Sequence, residues 1–341
     1  MLDLAKYSKE LSKLFELSDN ILLISHINPD GDTIGSQLAL YRFLLTKGKI
    51  AAMISPNYLQ EFLKWMDDSD LIKIFIKERA FCKKLIQEAD LIIMVDFNQP
   101  NRLGEAERYV KASAAPKVII DHHIDPQYIA DLLISDTSKC STAELVHELI
   151  TTINGKPFIE KSYAEDIYVG IITDTGNFEY GSYSGSTLRL VADLLEAGIE
   201  REKILRSVYY NFTTDRMRLQ GFALNNRMVV IPEYGAAYIY LSKKDLAEYN
   251  HVNGDTEGFV NLPLSIKGIR FSVLFIEKEN FVKMSFRSRG SFAVNEFATK
   301  YFSGGGHLNA SGGEFQGTLE NAVTYFLNIL KGNEEFFKNQ Q

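Results

Sequence analysis

The chain has 341 residues, of which 45% are hydrophobic and 24% charged, and its formal net charge is −7 at pH 7. These values are typical of an ordinary globular protein with room for two domains. The acidic balance argues against a protein that grips long nucleic acid through a broad basic face.

The sequence predicts a cytoplasmic protein. The first fifteen residues, MLDLAKYSKELSKLF, have the charged amphipathic pattern of a surface helix rather than the apolar core of a signal peptide. No apolar run reaches the ~18 residues that a membrane-spanning helix needs, so we expect no membrane partner. Cys82 and Cys140 lack metal-binding or redox spacing, as is typical of reduced thiols.

Short apolar runs alternate with amphipathic segments in the first half of the chain. The predicted strands are residues 21–24, 49–55, 71–76, 91–95 and 117–120. The predicted helices are residues 33–48, 58–66, 141–152, 162–173 and 187–196. Continuous apolar strands that alternate with helices indicate an α/β fold, with a parallel sheet covered by helices on both faces.

The pattern changes in the second half. Residues 199–229 are polar and helical in pattern. Beyond them we predict strands at 237–241, 270–277 and 281–287, a hairpin turn at Glu279-Asn280, and helices at 292–301 and 319–330. The prediction is a catalytic domain at residues 1–197, a helical linker at 198–229 and a smaller mixed α/β domain at 230–341.

Acidic and histidine side chains recur where the predicted strands and helices of the first half end. They are His26, Asp30, Asp32, Asp96, Asp121, His122, His123 and Asp174. Taken singly, each is more often a helix cap, a turn residue or a solvated charge. In α/β folds, however, ligands bind at the carboxyl edge of the sheet. So many acidic groups gathered there would repel one another strongly without cations.

The types of side chain indicate which cations would bind. Carboxylates mixed with imidazoles, without thiolates, suit Mn²⁺, with Mg²⁺, Fe²⁺ or Co²⁺ as substitutes. Two ions about 3.5–4 Å apart would hold a phosphate and generate hydroxide from water near neutral pH. The sequence therefore predicts a metal-dependent enzyme that acts on a phosphorylated substrate.

A second set of residues, in the smaller domain, is suited to binding an anion. The glycines of Gly304–Gly306 allow a close backbone approach, and we expect the N-terminus of a following helix to add its dipole. Arg287 and Arg289 lie two apart at a strand end, so we expect them to share a face. Their guanidinium groups, with His307 nearby in sequence, suit a terminal phosphate.

Six motifs carry a resemblance to a known family. In the first half, HINPDGD from His26, VDF from Val95, DHH from Asp121 and GIITDTGNF from Gly170 resemble the DHH family of phosphoesterases, in the family's order. In the second half, SFRSR from Ser285 and GGGHLNASGG from Gly304 resemble the associated DHHA1 domain. The two-domain length is similar to that of the nano-RNase/pAp phosphatase group.

The resemblance implies a role for each motif residue. One Mn²⁺ would be held by His26, Asp30, Asp96 and Asp174, and the second by Asp32, Asp96, His122 and Asp174. As catalytic residues, Asp121 would orient an imidazole and His123 would face the scissile phosphate. The other end of the substrate would be bound by Arg287, Arg289, Gly305, Gly306 and His307.

The implied activity is hydrolysis of small nucleotides by water that two Mn²⁺ ions activate, with Mg²⁺ or Co²⁺ as substitute cofactors. The substrates would be 3′-phosphoadenosine 5′-phosphate (pAp), converted to AMP, and short oligoribonucleotides, converted to mononucleotides. A phosphodiesterase on cyclic or linear dinucleotides, and a pyrophosphatase or exopolyphosphatase-like hydrolase, remain open alternatives. A protein that only binds nucleotides would lack a metal ligand, and none is missing. We do not expect long nucleic acid as a partner. A homodimer is compatible with the predicted activity.

Overall fold

The computed structural model describes residues 2–123, 130–179 and 183–332. The chain divides into two compact units, Met1–Asn211 and Phe212–Gln341. Both contain helices and a six-stranded sheet, which confirms the predicted α/β class. Among the residues described, none of the helices has the length and apolar character needed to cross a membrane.

The first unit is built on a sheet of six parallel strands. In chain order the strands are β1 (Asn20–Ile24), β2 (Ile50–Ser55), β3 (Lys73–Ile74), β4 (Leu91–Val95), β5 (Lys117–Asp121) and β6 (Leu132–Ser135). Their order across the sheet is β3-β2-β1-β4-β5-β6. The order reverses direction between β1 and β4, and α/β sheets form their ligand crevice at such a point.

In the part of the chain that the structure describes, eight α-helices of the first unit cover this sheet on both faces. They are α1 (Leu4–Leu17), α2 (Gly31–Thr46), α3 (Arg79–Glu88), α4 (Glu107–Ala112), α5 (Thr142–Asn154), α6 (Lys161–Thr175), α7 (Gly185–Glu196) and α8 (Arg201–Tyr209). Alternate residues of β1 enter two different cores: Leu23 packs with the core that contains α2, α5 and α6, whereas Leu22 packs with α3 and α4. Strands buried on both faces are apolar throughout, as the sequence of β4 shows.

Two predicted elements of the first unit differ in the structure. Residues 58–66 were predicted as a helix but contain only a short 3-10 helix at Glu61–Leu63. The strand predicted at 71–76 is reduced to the two residues of β3. Strand β6, which extends the sheet beyond β5, was not predicted.

The second unit has a mixed sheet. Its strands are β7 (Met228–Ile231), β8 (Ala236–Leu241), β9 (Phe271–Glu277), β10 (Phe281–Ser288), β11 (Gly305–His307) and β12 (Ala310–Gln316), ordered β11-β12-β10-β9-β8-β7. Only the β8–β9 pair is parallel among these described strands. The predicted turn at Glu279-Asn280 joins β9 to β10, and Lys278 N–H donates to the carbonyl of Phe281.

Within residues 212–332, the α-helices that accompany this sheet are α9 (Thr214–Phe222), α10 (Lys243–Glu248), α11 (Val294–Phe302) and α12 (Leu319–Gly332). Helices α11 and α12 pack on one face through Phe297 and Phe326, and α9 and α10 pack on the other through Leu219 and Leu246. Within residues 198–229, where we predicted a linker, α8 belongs to the first unit and α9 to the second.

Candidate metal centre

The predicted acidic and histidine residues meet at the carboxyl edge of the first sheet. Strands β1, β4 and β5 are neighbours and run parallel, so their carboxyl ends lie side by side. His26 follows β1, Asp96 follows β4, and His122 follows β5. The N-terminus of α2 and the C-terminal turn of α6 bring in the remaining carboxylates.

A first group of ligand atoms consists of His26, Asp30 and Asp96, whose atoms all lie within 4.8 Å of one another. The Nε2 atom of His26 is 3.5 Å from Asp96 Oδ2 and 3.9 Å from Asp30 Oδ2. The Nδ1 atom of His26 lies 2.7 Å from the carbonyl oxygen of Ile27. A carbonyl only accepts, so Nδ1–H donates, and in the neutral ring the Nε2 lone pair faces the carboxylates.

A second group consists of Asp32, His122 and Asp174, again within 4.8 Å of one another. His122 Nε2 is 3.0 Å from Asp174 Oδ2, 3.8 Å from Asp32 Oδ2 and 3.8 Å from Asp96 Oδ1. Asp96 therefore presents Oδ2 to the first group and Oδ1 to the second. On the other side of the ring, His122 Nδ1–H donates to the carbonyl of Lys139 at 3.2 Å.

Asp96 has an unusual backbone conformation. Its φ of 67° lies in the left-handed region, which aspartate tolerates better than most residues but at a cost of about 1 kcal/mol. Its N–H donates to the carbonyl of Ile120 at 2.9 Å, which ties it to the neighbouring strand β5. The local structure thus holds the chain in a conformation that directs this buried carboxylate between the two groups.

Asp32 is fully buried and is held by the N-terminus of α5. Its Oδ2 accepts the N–H of Thr142 at 2.7 Å and its Oδ1 accepts the N–H of Ala143 at 2.8 Å. Free N–H groups at a helix N-terminus stabilise a negative charge. No arginine or lysine of the described residues pairs with Asp32, and this contact explains how its carboxylate is accommodated in the interior.

Asp121 and His123 form a separate pair beside the two groups. The Nδ1 atom of His123 lies 2.7 Å from Asp121 Oδ1, and a carboxylate accepts, so His123 donates this hydrogen bond. Asp121 is fully buried, whereas His123 is only partly buried. The structure therefore brings Asp121 to the imidazole of His123.

The electrostatics of the cluster favour bound cations. Burial, followed by the charges of Asp96 and Asp174, raises the pKa of Asp32 well above its usual range. Burial lowers the pKa of His122, but the charge and the hydrogen bond of Asp174 outweigh burial and raise it. For Asp96 burial opposes ionisation, yet the close contact with His26 and the positive charge that the neighbouring imidazoles can carry lower the pKa. The donor set therefore fits divalent metal ions that prefer oxygen and imidazole ligands.

Close helix packing brings the two halves of the cluster together. A Cβ atom on Gly170 of α6 would lie 2.4 Å from the Cβ of Ala143 and 2.9 Å from Asp32 Oδ1. A Cβ on Gly35 of α2 would lie 2.3 Å from the carbonyl oxygen of Asp166. Only glycine allows α2, α5 and α6 to approach this closely, and this approach places Asp32 near Asp174.

The second unit presents its predicted anion-binding residues on the sheet. His307 of β11 pairs with Ala310 of β12, and Ala310 pairs with Arg287 of β10. Directly opposed residues share a face of the sheet, so Arg287 and His307 lie on the same face two strands apart. The expectation of a helix N-terminus after the glycines is wrong, because Gly305, Gly306 and His307 form the edge strand β11 and the next helix begins only at Leu319.

Arg289 lies beyond the end of β10 in a different setting from Arg287. Its N–H donates to the carbonyl of Arg270 at 2.9 Å. Arg289, Arg270 and Tyr234 contribute to the lining of a cavity of about 190 Å³. Arg270 was not among the predicted site residues, because its signal in the sequence was only that of a basic residue at the start of a predicted strand.

Comparison with known proteins agrees with this geometry. The profile of the DHH family, N-terminal domain, matches residues 20–171, and that of the DHHA1 domain matches residues 235–333. The bifunctional oligoribonuclease and PAP phosphatase NrnA of Bacillus subtilis is 31% identical over 309 residues, which cover 89% of this chain and 91% of that protein. The chain belongs to the DHH family.

Further relatives of this DHH protein extend over nearly all of its length. A protein of the same name from Thermus thermophilus is 31% identical over 301 residues, covering 87% of this chain and 84% of that one. Among solved structures, an exopolyphosphatase-related protein from Bacteroides fragilis has a TM-score of 0.93 at 42% identity and covers 98% of both chains. The resemblance predicted from the motifs is confirmed, and the chain is a metal-dependent hydrolase of the DHH family.

Proposed function

We propose that this DHH protein is a Mn²⁺-dependent phosphoesterase that hydrolyses pAp to AMP and short oligoribonucleotides to mononucleotides. The observation that carries the proposal is the position of Asp96, whose Oδ2 lies 3.5 Å from His26 Nε2 and whose Oδ1 lies 3.8 Å from His122 Nε2. A carboxylate between two donor groups supports a pair of ions that share it. The Bacillus and Thermus relatives, named as oligoribonuclease and PAP phosphatase, favour small nucleotides as substrates.

The two groups supply three ligands each, and the family resemblance adds Asp174 to the first and Asp96 to the second. The first ion would be held by His26, Asp30, Asp96 and Asp174, and the second by Asp32, Asp96, His122 and Asp174. When bound, such ions supply Lewis acidity, which polarises a phosphoryl group and lowers the pKa of a water molecule. The protein contributes imidazoles held by their Nδ1–H bonds and a carboxylate, Asp32, held by a helix N-terminus.

His123 would bind the scissile phosphate group. Its Nδ1–H donates to Asp121, which fixes the plane of the ring and leaves Nε2 on the opposite side. Because His123 is more exposed than His26 and His122, it is the histidine of the cluster best placed to reach a substrate.

We assign to the second unit the binding of a substrate phosphate that is not hydrolysed. Arg287 and His307 share one face of the sheet, and the backbone of Gly305 and Gly306 lies on the edge strand. Guanidinium and imidazole donors suit a terminal phosphate. Arg289, with Arg270 beside it, would add positive charge in the neighbouring cavity.

The test is hydrolysis by the purified protein with Mn²⁺, with a chelator-treated sample as control. We expect inorganic phosphate and AMP from pAp, and mononucleotides from a diribonucleotide, with no product after chelation. An inactive protein in the presence of Mn²⁺, on both substrates, would contradict the proposal.

A second candidate function is hydrolysis of inorganic phosphoanhydrides. It is favoured by the structural relative from Bacteroides fragilis, which is named as exopolyphosphatase-related. Pyrophosphate and polyphosphate are therefore included in the same assay. If their kcat/KM exceeded that of pAp and of the diribonucleotide, this second function would replace the first.

A further inference from the structure

Two threonine hydroxyls hold the carboxylate of Asp96, which lies between the two groups of metal-ligand atoms. The Thr33 Oγ1 atom lies 2.6 Å from Asp96 Oδ2 and 2.5 Å from His26 Nε2. Its single hydrogen would serve the carboxylate once a metal ion takes the Nε2 lone pair. The hydroxyl of Thr142 donates to Asp96 Oδ1 at 2.9 Å. Thr33 and Thr142 are completely buried, and Asp96 is nearly so. With His26 bound to a metal ion, each oxygen of Asp96 would thus receive one hydroxyl, from two helices that are far apart in the sequence.

Both threonines are themselves fixed by backbone contacts. The N–H of Thr33 donates to Asp30 Oδ1 at 3.0 Å, so Asp30 caps α2. The N–H of Thr142, the first residue of α5, donates to Asp32 Oδ2 at 2.7 Å. Each hydroxyl therefore projects from a helix end that is locked to another acidic residue of the cluster.

The N-terminus of α5 is anchored further by Glu144. This buried side chain accepts the hydroxyl of Thr187 at 2.8 Å and the N–H of Cys140 at 3.0 Å. The side chain of Ser141 caps the same helix. The position of the Thr142 hydroxyl is consequently determined by a network that reaches α7.

The number of lone pairs shows what this arrangement achieves. A carboxylate offers about two acceptor sites on each oxygen. One site on each oxygen of Asp96 accepts a threonine hydroxyl, and one remains. Oδ2 is the oxygen nearer His26, and Oδ1 is the oxygen nearer His122. The remaining acceptor site of each oxygen therefore lies on the side of a different histidine.

We propose that Thr33 and Thr142 are positioning residues that fix the Asp96 carboxylate in the orientation needed to serve two metal ions at once. This inference rests on the proposed function, because it takes Asp96 as the shared ligand. Without the two hydroxyls the carboxylate can rotate about its last side-chain bond, and it then binds one ion at the expense of the other. Outer hydrogen bonds of this kind typically change metal affinity by about 10–100-fold.

The experiment compares variants that remove or keep each hydroxyl. Thr33→Val and Thr142→Val keep the shape but remove the donor, whereas Thr33→Ser and Thr142→Ser keep the donor. Thr46→Val, at the far end of α2, is the control, since its hydroxyl bonds only to the backbone of Phe43 among the residues described. The readouts are Mn²⁺ affinity and stoichiometry by calorimetry and the Mn²⁺ electron paramagnetic resonance spectrum, which reveals magnetic coupling between two ions.

We expect both valine variants to bind the weaker of the two ions about 10–100-fold less tightly and to lose the coupled spectrum. The serine variants and Thr46→Val should resemble the natural protein. Circular dichroism verifies folding, and Thr33→Ala and Thr142→Ala replace any valine variant that does not fold.

Two results would overturn the proposal. One is a valine or alanine variant with unchanged affinity and an unchanged coupled spectrum. The other is an equal loss in the serine variants, which would assign the effect to packing. A natural protein that binds fewer than two Mn²⁺ ions would instead contradict the proposed function, so the two failures are distinguishable.

Discussion

At the scale of single residues, Asp96 is the side chain whose replacement should affect catalysis most. Asp96→Asn keeps the shape of the side chain but removes the charge that two ions would share. We expect kcat on pAp to fall at least about 10³-fold, as for other residues at the centre of a catalytic unit. The measurement is steady-state hydrolysis with saturating Mn²⁺.

The same strand supplies a matched control for this change. Asp90 precedes β4 just as Asp96 follows it, and it accepts N–H bonds from Asp19 and Asn20 at the opposite edge of the sheet. Asp90→Asn should retain turnover within a few-fold. Full activity of Asp96→Asn, with its metal content verified, would refute the role of this carboxylate.

Arg287 permits a prediction about binding rather than chemistry. Arg287→Ala removes a guanidinium that we assign to a phosphate, and a charged hydrogen bond contributes about 1.5–3 kcal/mol. We therefore expect KM for pAp to rise by roughly 10–100-fold with little change in kcat. Lys283→Ala is the control, because Lys283 lies on the same face of the same strand and is exposed. An unchanged KM in Arg287→Ala would remove this residue from the binding site.

At the scale of helices and strands, the packing of α5 against α6 leads to a prediction about Gly170. In Gly170→Ala the new methyl group would overlap Ala143 and approach Asp32. Overpacking of this kind costs about 1–3 kcal/mol, and the displaced helix should also weaken Mn²⁺ binding. Urea unfolding followed by the fluorescence of Trp65, the single tryptophan of the sequence and part of the first unit, measures the cost.

Replacing a glycine elsewhere in the first unit by alanine is the control that separates steric crowding from the general effect of a glycine-to-alanine substitution on stability. The nearest atoms to a Cβ on Gly185 belong to the side chain of Arg189, at 3.6 Å or more. Gly185→Ala should be neutral or stabilising by up to about 1 kcal/mol. Equal stability changes in the two variants would show that α5 and α6 can separate without consequence.

The elements that carry the candidate centre were predictable from sequence for a physical reason. Strands β1, β4 and β5 are covered on both faces, so their central residues are apolar and polar residues mark their ends sharply. Parallel strands present these ends at one edge. The meeting of His26, Asp96 and His122 therefore follows from pattern alone.

Other elements were not predictable because apolar spacing reports burial rather than the hydrogen bonds of the backbone. Leu59, Leu63 and Met66 have helical spacing and are buried, yet the segment between them forms only a 3-10 helix. Strand β11 contains two glycines, and it is a strand because β12 pairs with it. The roles of Thr33 and Thr142 were also hidden, since threonine near a helix N-terminus usually serves as a cap.

At the scale of the whole molecule, stability should depend on pH through His147. This histidine is buried in α5 beside the hydroxyl of Tyr163, and burial lowers its pKa to about 4. In the unfolded chain its pKa is about 6.5. The unfolded state therefore binds the proton first, and stability is lost as pH falls from about 6.5 towards 4.

Comparison with His147→Gln isolates this contribution. Between pH 7 and pH 5 the natural protein should lose about 1–2 kcal/mol more unfolding free energy than the variant. Urea unfolding monitored by the fluorescence of Trp65 at both pH values gives the difference. Identical pH dependence in the two proteins would show that His147 titrates normally in the folded state.

We expect one carboxylate, Asp96, to serve two metal ions at the edge of the first sheet. Anomalous X-ray diffraction from a crystal grown with Mn²⁺ tests this expectation, because it counts the ions and shows their ligands. We predict two anomalous peaks about 3.5–4 Å apart, with Oδ2 of Asp96 on the ion beside His26 and Oδ1 on the ion beside His122. A single peak, or two peaks with Asp96 bound to neither or only one, would contradict the account.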